Sequence, residues 1–268
     1  MSRRKLLLLG VLSLVSAGAA LWLTQMPRTA ASERELRIAA ASDLRYALDE
    51  LVAAFRGQHP DVVVRVTYGS SGNFYAQLSN RAPFDVFMSA DVDYTRKLGA
   101  SGLTLKDSEF LYAVGRLAVW TGVSSKLDVE RLGLHVLTDP AVKKIAIANP
   151  KHAPYGRAAE AALERAGLYE KVAPKLVFGE NIAQTAQFVE SGAADVGIVA
   201  LSLALAPALR PKGRFYTVPL DAHPRLDQAG VILSWARDVD AAQAFRAFVT
   251  GEPGRAILAR YGFTLAPA

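Results

Sequence analysis

Residues 62–78 read VVVRVTYGSSGNFYAQL, a stretch that joins a strand pattern to a helix pattern. The β-branched run Val62–Tyr68 predicts a strand, and the apolar residues that follow recur at helical spacing. Ser70 and Ser71 lie at the corner between these two elements, with a glycine on each side. Because one serine is enough to cap a helix, the second hydroxyl is available to bind a ligand.

The same alternation of short apolar runs and helical patterns continues along the chain. The other predicted strands are Leu36–Ala41, Phe84–Ala90, Lys143–Asn149, Lys175–Glu180 and Ala194–Ala200. The other predicted helices are 43–58, 156–166, 182–191, 241–248 and 257–261. Strands that alternate with helices predict an α/β fold with mainly parallel strands.

Two longer apolar segments, Leu111–Gly122 and Thr217–Trp235, could each cross between two lobes. With 268 residues, about half of them apolar, the chain is long enough for one large core or two smaller ones. We therefore expect one lobe from residues 34–115 together with 225–268, and a second lobe from residues 116–224.

The first 31 residues have the pattern of a targeting segment. MSRRK is basic, the following run to Pro27 carries no charge, and small residues at Ser16–Ala20 and Ala30–Ala31 offer cleavage sites. We predict that residues 1–31 are a signal peptide with a twin-arginine-like SRRKLL string. An uncleaved anchor is the alternative, because the apolar run is just long enough to span a bilayer. Both interpretations predict that the folded part lies outside the cytoplasm, in the periplasm.

Composition excludes several classes of function. The formal net charge is +6, but four of the basic residues precede Glu33, and their removal leaves +2. The chain therefore lacks the basic surface typical of nucleic-acid binding. Cysteine is absent, which excludes disulfides and thiolate metal sites. A serine-type hydrolase using Ser70 or Ser71 is a remote alternative, because GSSG lacks the G-x-S-x-G spacing. We expect no enzyme, no cofactor and no bare metal cation.

Four predicted strand-to-helix corners carry small or polar residues, namely Ser42, Ser70–Ser71, Pro154–Gly156 and Asn181–Ile182. Ligands of open α/β sheets bind beyond the carboxyl ends of the strands. A helix start adds unpaired N–H groups and the positive end of the helix dipole. Together the corners predict an anion site. Taken alone, Ser42 or Asn181 is more often a helix cap than a ligand.

With these motifs the chain resembles the molybdate-binding proteins (ModA family) of bacterial ABC transporters. The resemblance is carried by IAAASDLRYALDEL, VTYGSSGN, APFDVFMSAD, IANPKHAPYG, FGENIAQTAQFVESGAADVGIV and RYGF, which cover nearly all of the chain after residue 35. It implies a type II periplasmic-binding-protein fold, with two α/β lobes, two crossing segments and a ligand cleft between the lobes. It also implies a molybdate or tungstate ligand, a membrane permease and ATPase as partners, and a monomer.

The resemblance implies particular binding residues as well. The hydroxyls of Ser42 and Ser71 and the backbone N–H groups of Tyr155 and Ile182 would hold a tetrahedral oxyanion. Some family members add a tyrosine hydroxyl just after the GIV strand, where this chain has Ala200. We hypothesise that the hydroxyl of Tyr155 replaces it.

Ser70, Asp43 and Asn181 are neighbouring candidates for the same site. Selectivity for molybdate and tungstate over sulfate should rest on cavity size, because all are dianions with acceptor-only oxygens. Sulfate, phosphate and phosphonate remain alternative ligands. Phosphate carries a proton near neutral pH and needs an acceptor for it. Asp43 is either an ordinary acid in the first turn of a helix or, if it faces the cavity, that acceptor, in which case phosphate gains over molybdate as the expected ligand.

Overall fold

The computed structural model describes residues 34–265, so the predicted targeting segment 1–31 lies outside the described residues. The described chain forms two five-stranded mixed sheets. The first sheet contains β1 (Arg34–Ala41), β2 (Val62–Gly69), β3 (Val86–Ser89), β4 (Phe110–Gly115) and β10 (Leu226–Ile232). The second contains β5 (Leu117–Gly122), β6 (Ile145–Ala148), β7 (Leu176–Gly179), β8 (Val196–Ala200) and β9 (Gly213–Thr217).

The two sheets share one topology. The strand order is β2-β1-β3-β10-β4 in the first sheet and β7-β6-β8-β5-β9 in the second. In each sheet three neighbouring strands are parallel, and the remaining two are joined to them by antiparallel pairing. Parallel strands end at the same edge of a sheet, so the corners after β1, β2 and β3 gather at one place, and so do those after β6 and β7.

Helices connect and cover the strands. Those of the first half are α1 (Arg45–Gln58), α2 (Ser71–Ser79), α3 (Val92–Ala100) and α4 (Val129–Leu132). Those of the second half are α5 (Pro154–Arg165), α6 (Tyr169–Val172), α7 (Ile182–Glu190), α8 (Leu201–Leu205), α9 (Val239–Thr250) and α10 (Glu252–Arg260). Within residues 34–265 no helix has the length and apolar character needed to cross a membrane. The α/β class predicted from the alternating pattern is confirmed.

Some boundaries differ from the sequence prediction for identifiable reasons. The run 111–122 is two strands, and the chain passes from one sheet to the other at Arg116. The last helix, α10, begins at Glu252 instead of residue 257, because Pro253 occupies its first turn, where a missing N–H costs nothing. Ser42–Leu44 form a short 3-10 turn before α1.

Each sheet has its own apolar core. In β1 the side chains of Leu36 and Ile38 pack with α1, α9 and α10 on one face, while Ala39 packs with Phe74 and Phe87 on the other. This division follows from the two-residue period of a strand. Both faces are covered, which explains why the strands read as continuous apolar runs.

Asp85 is a buried acid that ties three segments of the first sheet together. Its carboxylate accepts hydrogen bonds from the backbone N–H of Arg37 at 2.7 Å and from that of Arg237 at 3.0 Å. The Arg237 guanidinium adds a contact of 3.1 Å. The side chain of Asp85 is 1% exposed and that of Arg237 is 47% exposed, so the two backbone N–H groups, and not the guanidinium, depend on the carboxylate.

We expect Asp85→Ala to lower the free energy of unfolding by about 2–4 kcal/mol, because it leaves buried donors unpaired. The melting temperature should fall by roughly 5–15 °C, measured by calorimetry. Asp240→Ala, at an exposed acid in the first turn of α9, is the matched control and should change it by only about 1–2 °C. Equal effects of the two substitutions would contradict this role of Asp85.

Candidate functional site

The four predicted corners meet around one small cavity. It is lined by Ala41, Ser42, Asp43, Gly69, Ser70, Ser71, Ala90, Ala153, Pro154, Tyr155 and Ile182. The fold thus brings together Ser42, Ser71, Tyr155 and Ile182, which come from two different sheets. Ala90 follows β3 and forms a fifth corner. The motif FDVFMSAD places Ala90 at the end of this strand, and the parallel pairing of β3 with β1 brings it beside Ser42.

The two serines of GSSG have different contacts. Ser70 is the N-cap of α2, and its Oγ accepts a hydrogen bond from the Asn73 N–H at 3.4 Å. Ser71 is fully buried, and its Oγ accepts a hydrogen bond from the Ala90 N–H at 3.0 Å. The hydroxyl hydrogen of Ser71 is therefore free to be donated to a group in the cavity, since a hydroxyl both accepts and donates.

Ser42 and Asn181 connect the two sheets. Ser42 Oγ donates to Asn181 Oδ1 at 3.1 Å and accepts from the Ala183 N–H at 3.3 Å. Asn181 Oδ1 also accepts from the N–H groups of Ala183 and Gln184, so Asn181 is the N-cap of α7. Asn181 supports Ser42 from behind and does not itself line the cavity.

The starts of three long helices surround the cavity. Ser71 begins α2, Tyr155 lies in the first turn of α5, and Ile182 begins α7. Unpaired N–H groups and the positive ends of these helix dipoles therefore converge on it. None of the described residues that line the cavity is a lysine or arginine. No group of three or more histidine, aspartate or glutamate side chains within residues 34–265 could hold a metal ion. Apart from Asp43, the lining therefore offers neutral hydrogen-bond donors, which are the groups that anion sites at helix starts use.

Asp43 lies in the first turn of the 3-10 segment Ser42–Leu44 and is also a buried carboxylate at this cavity. It is 1% exposed. Its Oδ2 accepts hydrogen bonds from the Tyr155 hydroxyl at 3.0 Å and from Gln228 Nε2 at 2.7 Å. Burial raises the pKa of Asp43 to about 6, against the opposing effect of the hydrogen bonds from Gln228 and Tyr155. Its Oδ1 is buried without a hydrogen-bond partner.

The Tyr155 hydroxyl, which we hypothesised to replace a tyrosine missing at Ala200, has two hydrogen-bond partners in this structure. That hydroxyl donates to Asp43 and accepts from Gln228 Nε2 at 3.1 Å. Burial and the neighbouring Asp43 carboxylate raise the pKa of Tyr155 well above its ordinary value, so the hydroxyl keeps its proton. The donor is thus already engaged, and the backbone N–H of Tyr155 is the group left for a ligand.

Contacts at the rim close the cavity from the outside. The Gly72 N–H donates to the His152 carbonyl at 2.9 Å, and Asn73 Nδ2 donates to Glu180 at 2.6 Å. Both bonds join the corner after β2 to the corners after β6 and β7. A side chain at Gly72 would place Cβ 2.5 Å from the His152 carbonyl oxygen, so this close approach requires glycine.

His152 also contacts Ser70, which bears on the hydrolase alternative. Ser70 Oγ lies 2.9 Å from His152 Nδ1, and His152 Nε2 lies 3.6 Å from Glu180 Oε1. The order of groups is that of a catalytic triad, but the second distance exceeds a hydrogen bond. The Glu180 side chain is 60% exposed, so no buried carboxylate orients the His152 ring as a triad requires. These residues link the two sides of the cleft.

Comparison with known proteins places this geometry in a class. Two sheets of one topology with an anion cavity between their corners are the architecture of a solute receptor, and the family described as bacterial extracellular solute-binding protein matches residues 36–264. The Azotobacter vinelandii molybdate-binding protein ModA is 36% identical over 88% of this chain and 92% of that protein. The Rhodobacter capsulatus ModA is 36% identical over 75% of this chain and 77% of that protein.

A solved structure agrees with the sequence matches. The periplasmic molybdate-binding protein of Azotobacter vinelandii superposes with a TM-score of 0.81 at 32% identity, covering 87% of this chain and 100% of that chain. The chain therefore belongs to the bacterial extracellular solute-binding proteins, and within them to the molybdate-binding protein family. The predicted family and type II fold are confirmed, and so is the prediction of a solute receptor in place of an enzyme.

The closed rim can be tested at Gly72. We expect Gly72→Ala to separate the lobes, because the added methyl overlaps the His152 backbone. A compact chain of this length has a radius of gyration of about 18 Å, and small-angle X-ray scattering should give a larger value for the variant than for the wild type. Gly57→Ala is the matched control, since no atom lies within 4 Å of its added Cβ. An unchanged radius would show that the lobes do not meet at Gly72 in solution.

Proposed function

We propose that this protein is an extracytoplasmic receptor that captures molybdate and tungstate and delivers them to an ABC permease powered by an ATPase. One observation carries the proposal. The cavity has converging serine hydroxyls and helix starts and no cationic side chain, in a chain 36% identical to molybdate-binding proteins. Fully deprotonated dianions have only acceptor oxygens. The serine hydroxyls and the N–H groups of the helix starts are donors that these oxygens can accept from.

The donor set is sufficient for a buried dianion. Burying an unpaired charge is very costly, so the anion must be surrounded by hydrogen-bond donors. Hydrogen bonds to charged groups contribute about 1.5–3 kcal/mol each, and each helix end adds about 0.3–2 kcal/mol. Several donors together can therefore offset the desolvation. Because no fixed cation holds the anion, it can leave once the lobes separate.

In the proposed complex each of the four predicted corners contributes one donor to the anion. Ser42 and Ser71 bind through their hydroxyls, and Tyr155 and Ile182 through their backbone N–H groups. The Ser42 hydroxyl rotates away from Asn181 to reach the anion. The first lobe is residues 34–115 with 225–268, the second is 116–224, and closure is a hinge motion about the two crossing segments.

The proposal also covers the location and the oligomeric state of the receptor. Residues 1–31 direct export to the periplasm, and the receptor acts there as a monomer. Support for the location comes from the solved relative, which is a periplasmic protein.

Phosphate is the second candidate ligand, and the observation that favours it is the presence of a carboxylate, Asp43, at the cavity.

Thermal unfolding of the protein with molybdate, tungstate, sulfate or phosphate tests the proposal. A ligand at about 100 times its dissociation constant stabilises the folded state by about 2.7 kcal/mol, which is a shift of roughly 5–10 °C for a chain of this size. We expect this shift with molybdate and tungstate and none with sulfate. A shift with phosphate alone would establish the second candidate, and no shift with any anion would reject an oxyanion receptor.

The free hydroxyl hydrogen of Ser71 makes this residue the sharpest single test. We expect Ser71→Ala to weaken molybdate binding by about 10- to 100-fold, the equivalent of one hydrogen bond to a charged group. Titration calorimetry measures the affinity. Ser79→Ala, at the exposed end of the same helix, should bind as the wild type does. Wild-type affinity in Ser71→Ala would remove Ser71 from the site.

A further inference from the structure

The partnerless oxygen of Asp43 stands out at the cavity. Asp43 lines the cavity and is buried, so no solvent reaches its carboxylate. The backbone N–H groups of Asp43 and Leu44 lie near enough to favour the ionised form, yet neither makes a hydrogen bond of normal geometry to Oδ1. A buried carboxylate oxygen whose nearby donors make no hydrogen bond of normal geometry is costly, and a further partner in the cavity would remove that cost.

The hydrogen bonds determine where a proton would go. Oδ2 accepts from both Tyr155 and Gln228, so its two acceptor positions are filled. As long as Tyr155 and Gln228 both donate to Oδ2, a proton on Asp43 resides on Oδ1. A protonated Oδ1 is a donor, and a tetrahedral dianion in the adjoining cavity is an acceptor. An ionised Oδ1 would instead repel that dianion at close range.

We propose that Asp43 binds the oxyanion as a neutral acid, donating a hydrogen bond from Oδ1, so that each dianion enters together with one proton from solvent. This inference rests on the proposed function and identifies a residue that determines specificity. Molybdate, tungstate and sulfate have no proton of their own and require the one on Asp43. Hydrogen phosphate carries a proton and can donate it to ionised Asp43, so its binding takes up none.

Among the described residues, two tyrosines and two neutral side chains surround Asp43. Tyr155 on α5 and Tyr112 on β4 are the titratable groups beside it, and burial together with the Asp43 charge raises the pKa of both tyrosines. Gln228 on β10 and Ser202 on α8, whose hydroxyl donates to the Asp43 carbonyl at 2.7 Å, are neutral. His152 at the rim is the other group near the cavity that could take up a proton.

The direction of the pH dependence follows from linkage. A bound dianion raises the pKa of Asp43 above its value of about 6 in the free protein. Below that value Asp43 is already protonated, and the affinity is constant. Above it the affinity falls by up to tenfold per pH unit, until the pH passes the pKa in the complex.

Titration calorimetry with molybdate at about pH 7.5, in Tris and in HEPES, measures the proton count. The heat of binding differs between buffers in proportion to the protons exchanged. We expect an uptake close to one proton per molybdate in the wild type, and an affinity about tenfold lower at pH 8 than at pH 7. Binding without proton uptake would overturn the inference while leaving the molybdate receptor intact. Absence of molybdate binding would instead reject the proposed function, and the inference with it.

Three variants assign the proton. Asp43→Asn keeps a donor and has no acid, so its binding should show no proton uptake and no pH dependence. His152→Gln and Asp227→Asn, the latter at a part-exposed acid beside Gln228 on β10, should both retain the uptake. Uptake that persists in Asp43→Asn, or disappears in His152→Gln, would overturn the inference. The wild-type experiment decides the question even if Asp43→Asn does not fold.

Discussion

The rest of the site depends on one constraint, which is that a dianion must be enclosed without a counter-charge. The structure meets it by placing the starts of α2, α5 and α7 around one cavity. Each helix start supplies donors that its own helix cannot use. This arrangement requires strands that end at a common edge and two sheets that face each other with those edges. Two sheets with the same strand order are therefore needed to bring these helix starts together around one cavity.

The lobes are joined at two depths. At the rim, the Gly72–His152 and Asn73–Glu180 hydrogen bonds cover the cavity. Deeper, Asp43 of the first sheet holds Tyr155 of the second. The Asn73–Glu180 bond is exposed to water, whereas the deeper bond is buried and involves a carboxylate. The state of Asp43 therefore affects both the anion and the fit between the lobes.

Sequence reasoning could identify the corners because local patterns define them. A β-branched run that stops at a glycine, followed by helical spacing, places Ser71 at a helix start, and parallel pairing then gathers such starts at one edge. Gln228 could not be found in this way. It lies inside a strand, 185 residues from its partner Asp43, and a buried glutamine in an apolar run has no local signal. For the same reason the partner of the Tyr155 hydroxyl could not be predicted.

A site made only of neutral donors recognises the charge and geometry of its ligand. It does not distinguish an oxyanion that carries a proton from one that carries none. Hydroxyls and backbone N–H groups of the kind supplied by Ser71 and Ile182 can bond to any tetrahedral oxygen. A group that is an acceptor when ionised and a donor when protonated can make that distinction. Asp43 is the carboxylate among the cavity residues. Its Oδ2 accepts hydrogen bonds from Tyr155 and Gln228, so Oδ1 is the oxygen that changes from acceptor to donor when Asp43 is protonated. Burial raises the pKa of Asp43 to about 6, close to neutral pH, where phosphate carries a proton and molybdate, tungstate and sulfate do not.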